Sequence, residues 1–399
     1  MTKYNLIFTL DYEIHGNGDG NPMELMVEPT YRLMDLLEKY HQKLTIMADV
    51  AEILCFKRYA AETGKDDYHV ADIEAQLCDA IRRGHEVQLH IHSSYFKAQW
   101  KNGVFDQCIE EYNMAALPYE RIDEMVSESV GYLEKLLQPI KKEYKVWLFR
   151  AANWSMMPTE NLYRVLVKHG ITHDTSVFKG GVQGGNVCYD YREAYDNLFA
   201  YPASMANINE RDEAGHLIEM PIYTEMRPFW DFVSPIRVFR MVRAKFHKHK
   251  KSERVRELES ERVRELKKSA NKDDNRKLSL KSFFRLSPLK MDFNQVSSRG
   301  LKRMMRNVMR RGSGEECKVY GVQCKVYGVQ CKDGSGDAFR IDDCKLQNSN
   351  LVKGTNISNI GDKEERRVDV VLIGHSKTFI PYNEKTLEPF LKWYVKLDK

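Results

Sequence analysis

Short apolar runs of strand length alternate along this chain with longer stretches of helically spaced apolar residues, and that order limits the fold more than any other feature. Residues 5–14 (NLIFTLDYEI), 43–50 (KLTIMADV), 85–93 (HEVQLHIHS), 145–150 (KVWLFR), 171–177 (ITHDTSV) and 368–373 (VDVVLI) read as buried strands. Between them, 23–41, 70–83, 122–137 and 160–169 place apolar residues three and four apart, as at Leu33, Leu36 and Leu37, or Met125, Val130, Leu133 and Leu137. Strand followed by helix, repeated, is the pattern of a parallel sheet, whose strands cannot be joined by tight hairpins. Shorter strands are expected at 197–202 and 217–223, a strand or edge at 289–293, and a closing helix at 387–397. So many units favour an irregular closed sheet over an open one. The expected fold class is α/β, a distorted (β/α) barrel of 7–8 strands with a long basic insertion before the last strand.

The 399 residues, 42% of them hydrophobic, are enough for a large core, and no apolar run is long enough to span a bilayer. The first residues run straight into a strand pattern without the apolar core of a signal peptide, so the expected location is cytoplasmic. The cysteines agree with this: Cys55, Cys78, Cys108, Cys188 and Cys344 are scattered, Cys317, Cys324 and Cys331 fit no zinc spacing, and all read as free thiols.

The net charge of +5 conceals an asymmetry, because residues 234–312 hold 25 Lys and Arg against 8 Asp and Glu. Three parts follow: a barrel body at 1–233, a basic and partly disordered insertion at 234–366, and a last strand and helix at 367–399. Within the insertion, 235–251 sets Ile236, Phe239, Val242 and Phe246 on one helical face among basic residues. Such a helix suits peripheral contact with an anionic membrane surface, and equally a solvated helix packed on the barrel. No recognition motif supports nucleic-acid binding. The tandem copies at 252–258 and 260–266, and at 317–323 and 324–330, are too few for a solenoid and carry no chemistry.

In a parallel barrel, chemistry sits where strands end. Asp11, Glu13, His90, His92, Arg150, Asp174 and His375 all stand at or near the ends of expected strands. Side chains two apart share a strand face, so His90 and His92 point together, as do Asp11 and Glu13. Two imidazoles on one face are a known way to hold a divalent transition ion. Each residue also has a plain reading: Asp11 as a turn residue before the glycines at 16, 18 and 20, Arg150 with Asp174 as a structural ion pair, His375 as a loop residue. Tyr95 and Trp100 either line a binding groove or pack.

At these residues the chain resembles the polysaccharide deacetylase family, carbohydrate esterase family 4, as a divergent member. Phe8-Thr9-Leu10-Asp11-Tyr12-Glu13 is similar to the family's first motif, Gly84-His85-Glu86 with His90 to its second, Phe149-Arg150-Ala151-Ala152-Asn153 to its third, Asp174-Thr175-Ser176 to its fourth, and Leu372-Ile373-Gly374-His375 to its fifth. There are two departures. The usual adjacent Asp pair is Asp11-Tyr12-Glu13, and Ser94 stands four residues after His90 where the family has histidine. The resemblance implies a divalent metal ion, zinc by expectation, held by Glu13, His90 and His92, the last replacing the missing ligand. It implies Asp11 as base, His375 as acid, Arg150 fixing Asp11, Asp174 holding His375, and the Asn153 N–H at the oxyanion. The implied activity is removal of N-acetyl groups from a sugar or glycan in cell-surface polysaccharide or lipopolysaccharide biosynthesis. Another metallohydrolase, phosphoesterase or carbon–nitrogen amide hydrolase, and a catalytically inactive glycan-binding barrel remain as alternatives.

Overall fold

The computed structural model describes residues 2–232 apart from 15, 17 and 102, then 286–312, 318–319, 322–323 and 366–397. The basic stretch at 235–251, both tandem repeats save the residues at 318–319 and 322–323, and the cysteines from 317 onward lie outside the described residues. Cys55, Cys78, Cys108 and Cys188 are free thiols. Among the described residues, no helix is long and apolar enough to cross a membrane.

The chain divides into two compact units. The smaller contains residues 1–5 and 305–368, and within it the Tyr4 hydroxyl donates to the Met309 carbonyl at 2.8 Å. The larger contains residues 6–304 and 369–399 and carries every candidate site residue.

The main sheet has eight strands in the spatial order Tyr201–Ala203, Leu217–Glu219, His173–Asp174, Leu148–Ala151, Glu86–Ile91, Leu44–Asp49, Thr2–Tyr12, Arg366–His375. The five pairings from Leu217–Glu219 across to Thr2–Tyr12 are parallel, and Tyr201–Ala203 joins Leu217–Glu219 antiparallel. The chain just after Leu217–Glu219 turns the sheet back on itself. Ile222 N–H donates to the Val177 carbonyl at 2.9 Å and Tyr223 N–H to the Val371 carbonyl at 3.1 Å, which links the last strand to the far side. The result is a distorted (β/α) barrel, the class expected from the alternation.

Helices lie where apolar periodicity puts them. Glu28–Glu38 buries Leu33, Met34 and Leu37, and Tyr119–Leu137 buries Ile122, Met125, Val126, Leu133 and Leu137. Each such aliphatic side chain removed from water contributes roughly 1.5–3 kcal/mol. Two helices stand where none was expected. Val50–Thr63 follows directly on the second strand, started by Asp49, whose carboxylate accepts from the Glu52 N–H, and ended by Gly64 in the left-handed conformation (φ 71°). Ser298–Gly312 lies inside the basic segment. The expected return at 289–293 is present: Ser287–Lys290 pairs antiparallel with Thr224–Arg227, and Phe293 N–H donates to the Ile373 carbonyl at 3.0 Å.

Candidate active site

The strand ends converge as the sequence led one to expect, but the partners differ. Arg150, buried at 0% exposure, uses every edge of its guanidinium. Nη1 donates to Asp11 Oδ1 at 2.6 Å, Nη2 to Thr9 Oγ1 at 2.8 Å, and Nε to the Thr175 carbonyl at 2.9 Å. Burial pushes the Asp11 pKa up, yet the Arg150 guanidinium, with His375 and His90, outweighs it and holds the carboxyl below its usual range. The other Asp11 oxygen, Oδ2, lies 3.4 Å from His375 Nε2. Burial lowers the pKa of that imidazole, so it rests neutral at pH 7.

On the same face, Glu13, His90 and His92 are all buried, and one donor atom from each lies within 4.8 Å of the others. His90 Nδ1 faces the Arg150 carbonyl at 2.8 Å and so carries the hydrogen, which leaves Nε2 directed at Glu13 Oε2, 3.3 Å away. Burial would lower the His90 pKa, but the bond to Glu13 and the charges of Asp11, Glu13 and Asp49 raise it to about 9. Glu13 itself is held well below the usual carboxylate range: His92, Lys377 and His90 together outweigh its burial. Lys377 Nζ donates to Glu13 Oε1 at 2.6 Å and leaves Oε2 turned to the imidazoles. A cluster so rich in acceptors holds positive charge whether protons or a metal supply it. One carboxylate and two imidazoles are a donor set suited to a divalent transition ion, so these three residues fit the expected metal.

His92 is oriented by Asp49. Its backbone N–H donates to Oδ1 at 3.0 Å and its Nδ1 lies 2.8 Å from Oδ2. The sequence reading overlooked Asp49, although Asp followed by Glu three residues later is a helix-start signal. Ser94, at the departed motif position, instead donates to Gln107 Oε1 at 2.6 Å.

Asp174 stands apart from the role the resemblance implied. Its carboxylate accepts from Ser176 Oγ at 2.7 Å and Ser176 N–H at 3.1 Å, and its register partner on the next strand is Glu219. Both carboxyls are fully buried, and burial raises both pKa values, Glu219 well above the usual range. Burial and the facing Asp174 carboxyl both favour the protonated form of Glu219. His375 is held by another residue, Asn294, whose Nδ2 donates to the His375 carbonyl at 3.0 Å and whose Oδ1 accepts the His375 N–H at 3.2 Å. Asn294 lies within the basic segment and carries no motif, so nothing along the chain marks it.

Asn153 and Trp154 both take the left-handed backbone region (φ 52° and 59°), rare for non-glycine residues and costing of order 1 kcal/mol each. That turn sets the Trp154 ring edge-on to His375, centroids 6.0 Å apart. Tyr95 and Trp100 are packing residues. The Tyr95 hydroxyl donates to the Gly16 carbonyl at 2.7 Å, and Trp100 lies against Tyr59 and Phe105 at 4.8 and 5.0 Å between centroids. His85, before the second motif's His90 in sequence, accepts the Leu44 N–H at 3.0 Å and is structural.

The fold and the site thus define a (β/α) barrel with a carboxylate–imidazole cluster beside an arginine-held aspartate and a neutral histidine. No family model matches the chain, and no curated protein does. Among solved structures it is similar to a Mycobacterium smegmatis protein assigned as a polysaccharide deacetylase (10% identity, 100% of this chain and 85% of that one, TM-score 0.39). It is also similar to a family 4 acetyl xylan esterase from Clostridium thermocellum in complex with cobalt (17% identity, 45% and 60%, TM-score 0.26). A third is the peptidoglycan deacetylase PdaC of Bacillus subtilis (14% identity, 45% and 59%, TM-score 0.24).

Proposed function

We propose that this protein is a metal-dependent amide hydrolase that removes the N-acetyl group from a sugar of a cell-surface glycan. The observation that carries the reading is the position of Asp11: one oxygen fixed by Arg150 at 2.6 Å, the other 3.4 Å from His375, on the strand that also presents Glu13. Glu13, His90 and His92 would hold the ion, with zinc the expected metal. When bound, such an ion acidifies water and polarises a carbonyl.

The chain's own residues do the rest. Asp11, ionised at neutral pH, takes a proton from the attacking water. The adjacent His375 Nε2 receives that proton and delivers it to the departing nitrogen as the carbon–nitrogen bond breaks, leaving acetate and a free amine. Each such transfer is typically worth about 10²- to 10⁴-fold in rate. Arg150 holds the Asp11 carboxylate ionised, and Asn294 fixes the backbone of His375.

The test is metal content by elemental analysis, followed by acetate release from N-acetylhexosamines, for the wild type and Asp11→Asn. Bound metal in both with acetate release only from the wild type supports the reading. Equal activity in the two removes Asp11 as base, and phosphate release from sugar phosphates without acetate release would replace it with the phosphoesterase reading.

A further inference from the structure

Among the described residues, Lys290 is a cation beside the site without a counter-ion. Its ammonium sits 3.1 Å from the centroid of Trp154 and 4.2 Å from that of Phe178, and among the described residues it makes no ion pair or side-chain hydrogen bond. The other cations of the site are committed, Arg150 to Asp11 and Lys377 to Glu13. The carboxylate two residues on, Asp292, accepts from Asn294 N–H at 2.8 Å and Gln295 Nε2 at 2.7 Å. Burial pushes the Lys290 pKa down to about 7, against the pull of Asp292 and Asp11. The ring faces offset part of that cost, as aromatic rings do for a desolvated cation.

The placement matters because Trp154 touches both partners: Lys290 lies over its face and His375 against it edge-on. The ammonium is one ring away from the residue proposed to protonate the leaving amine, and Lys290 keeps part of its surface exposed. We propose that Lys290, between Trp154 and Phe178, binds an anionic oxygen group, carboxylate or phosphate, on the sugar whose amide is presented to Asp11 and His375. This rests on the deacetylase reading and narrows it to an acidic sugar. A neutral sugar would leave the ammonium desolvated and unpaired, which is how a polar site rejects an analogue lacking the matching group.

The experiment is equilibrium titration of the full chain, wild type, Lys290→Met and Lys290→Arg, with three probes: N-acetylglucosamine, its 6-phosphate and 2-acetamido-2-deoxyglucuronate. At least one anionic probe is expected to bind the wild type roughly tenfold or more tighter than the neutral one, the size of a charge-assisted bond. That preference is expected to vanish in Lys290→Met, whose side chain fills the same aromatic slot, and to survive in part in Lys290→Arg. Which anion is preferred tells carboxylate from phosphate. No preference in the wild type, a preference that persists in Lys290→Met, or no binding of either anion overturns the proposal. Acetate release from the same probes is read separately: anion preference without acetate removes the deacetylase reading alone, and acetate release without preference removes this one alone.

Discussion

Arg150 and Asp11, 139 residues apart in sequence, form a buried ion pair with a 2.6 Å bond between Nη1 and Oδ1. Because the guanidinium also serves Thr9 and the Thr175 carbonyl, the pair ties three strand ends together. Removing one partner of a buried pair costs about 3–5 kcal/mol, since the other charge is left without compensation. Arg150→Ala is expected to lower the urea midpoint accordingly, and Arg150→Lys to recover little of it, because an ammonium cannot meet three acceptors in one plane. A wild-type midpoint for Arg150→Lys would contradict this.

Asp49 has two duties, capping Val50–Thr63 and orienting His92. Asp49→Ala is expected to lose about 0.5–2 kcal/mol of stability with the cap. It is also expected to weaken metal binding about 10- to 100-fold, the usual effect of removing a carboxylate behind a ligating histidine. Asp49→Asn keeps the cap. Competition with a metal-sensitive dye separates the two duties, for the amide should restore stability more fully than metal affinity.

His375 depends on Asn294 and on Gly374. A Cβ at Gly374 would clash with the Phe293 ring and the Asn294 side chain, so glycine before His375 lets this strand pack closely on them. Asn294→Ala and Gly374→Ala are both expected to keep their metal and lose turnover about 10²-fold, in line with His375→Ala. Metal content and kcat, measured on the same preparations, check this; loss of metal in Asn294→Ala would show that the loop supports the Glu13 cluster instead.

Glu219 is held neutral in the fold, with its pKa raised above the value of about 4.3 for the unfolded chain. The sign follows from linkage: its favourable contribution is complete below the unfolded pKa and is lost as pH rises through the folded one. Glu219→Gln keeps a neutral donor without that titration. The stability of Glu219→Gln relative to wild type is therefore expected to increase from pH 4 upward, read from denaturant midpoints across that range. A difference that stays constant with pH would mean that Glu219 is ionised in the fold.

Much of the site could be read along the chain because it is made of residues at strand ends. Glu13, His90 and His92 do come together, and Asp11 meets both Arg150 and His375. Other partners were not legible. Asp174 binds Ser176 and faces Glu219, since adjacent strands in register bring the two carboxyls level, and no motif marks that pairing. Val50–Thr63 was hidden because Leu44–Asp49 leads into it without a break and its only flag is the cap at Asp49.

The sequence by itself determined the alternation of the main strands and most of the helices between them, and the kinds of side chain at each strand end, because apolar periodicity is a local property that a segment displays on its own. Tertiary structure alone decided the pairings: Asn294 on His375, Asp49 on His92, and Lys290 against Trp154. Those contacts depend on strand register and on the closure through Ile222 and Tyr223, which bring distant segments to one mouth, and neither is written in the spacing of residues along any one of them.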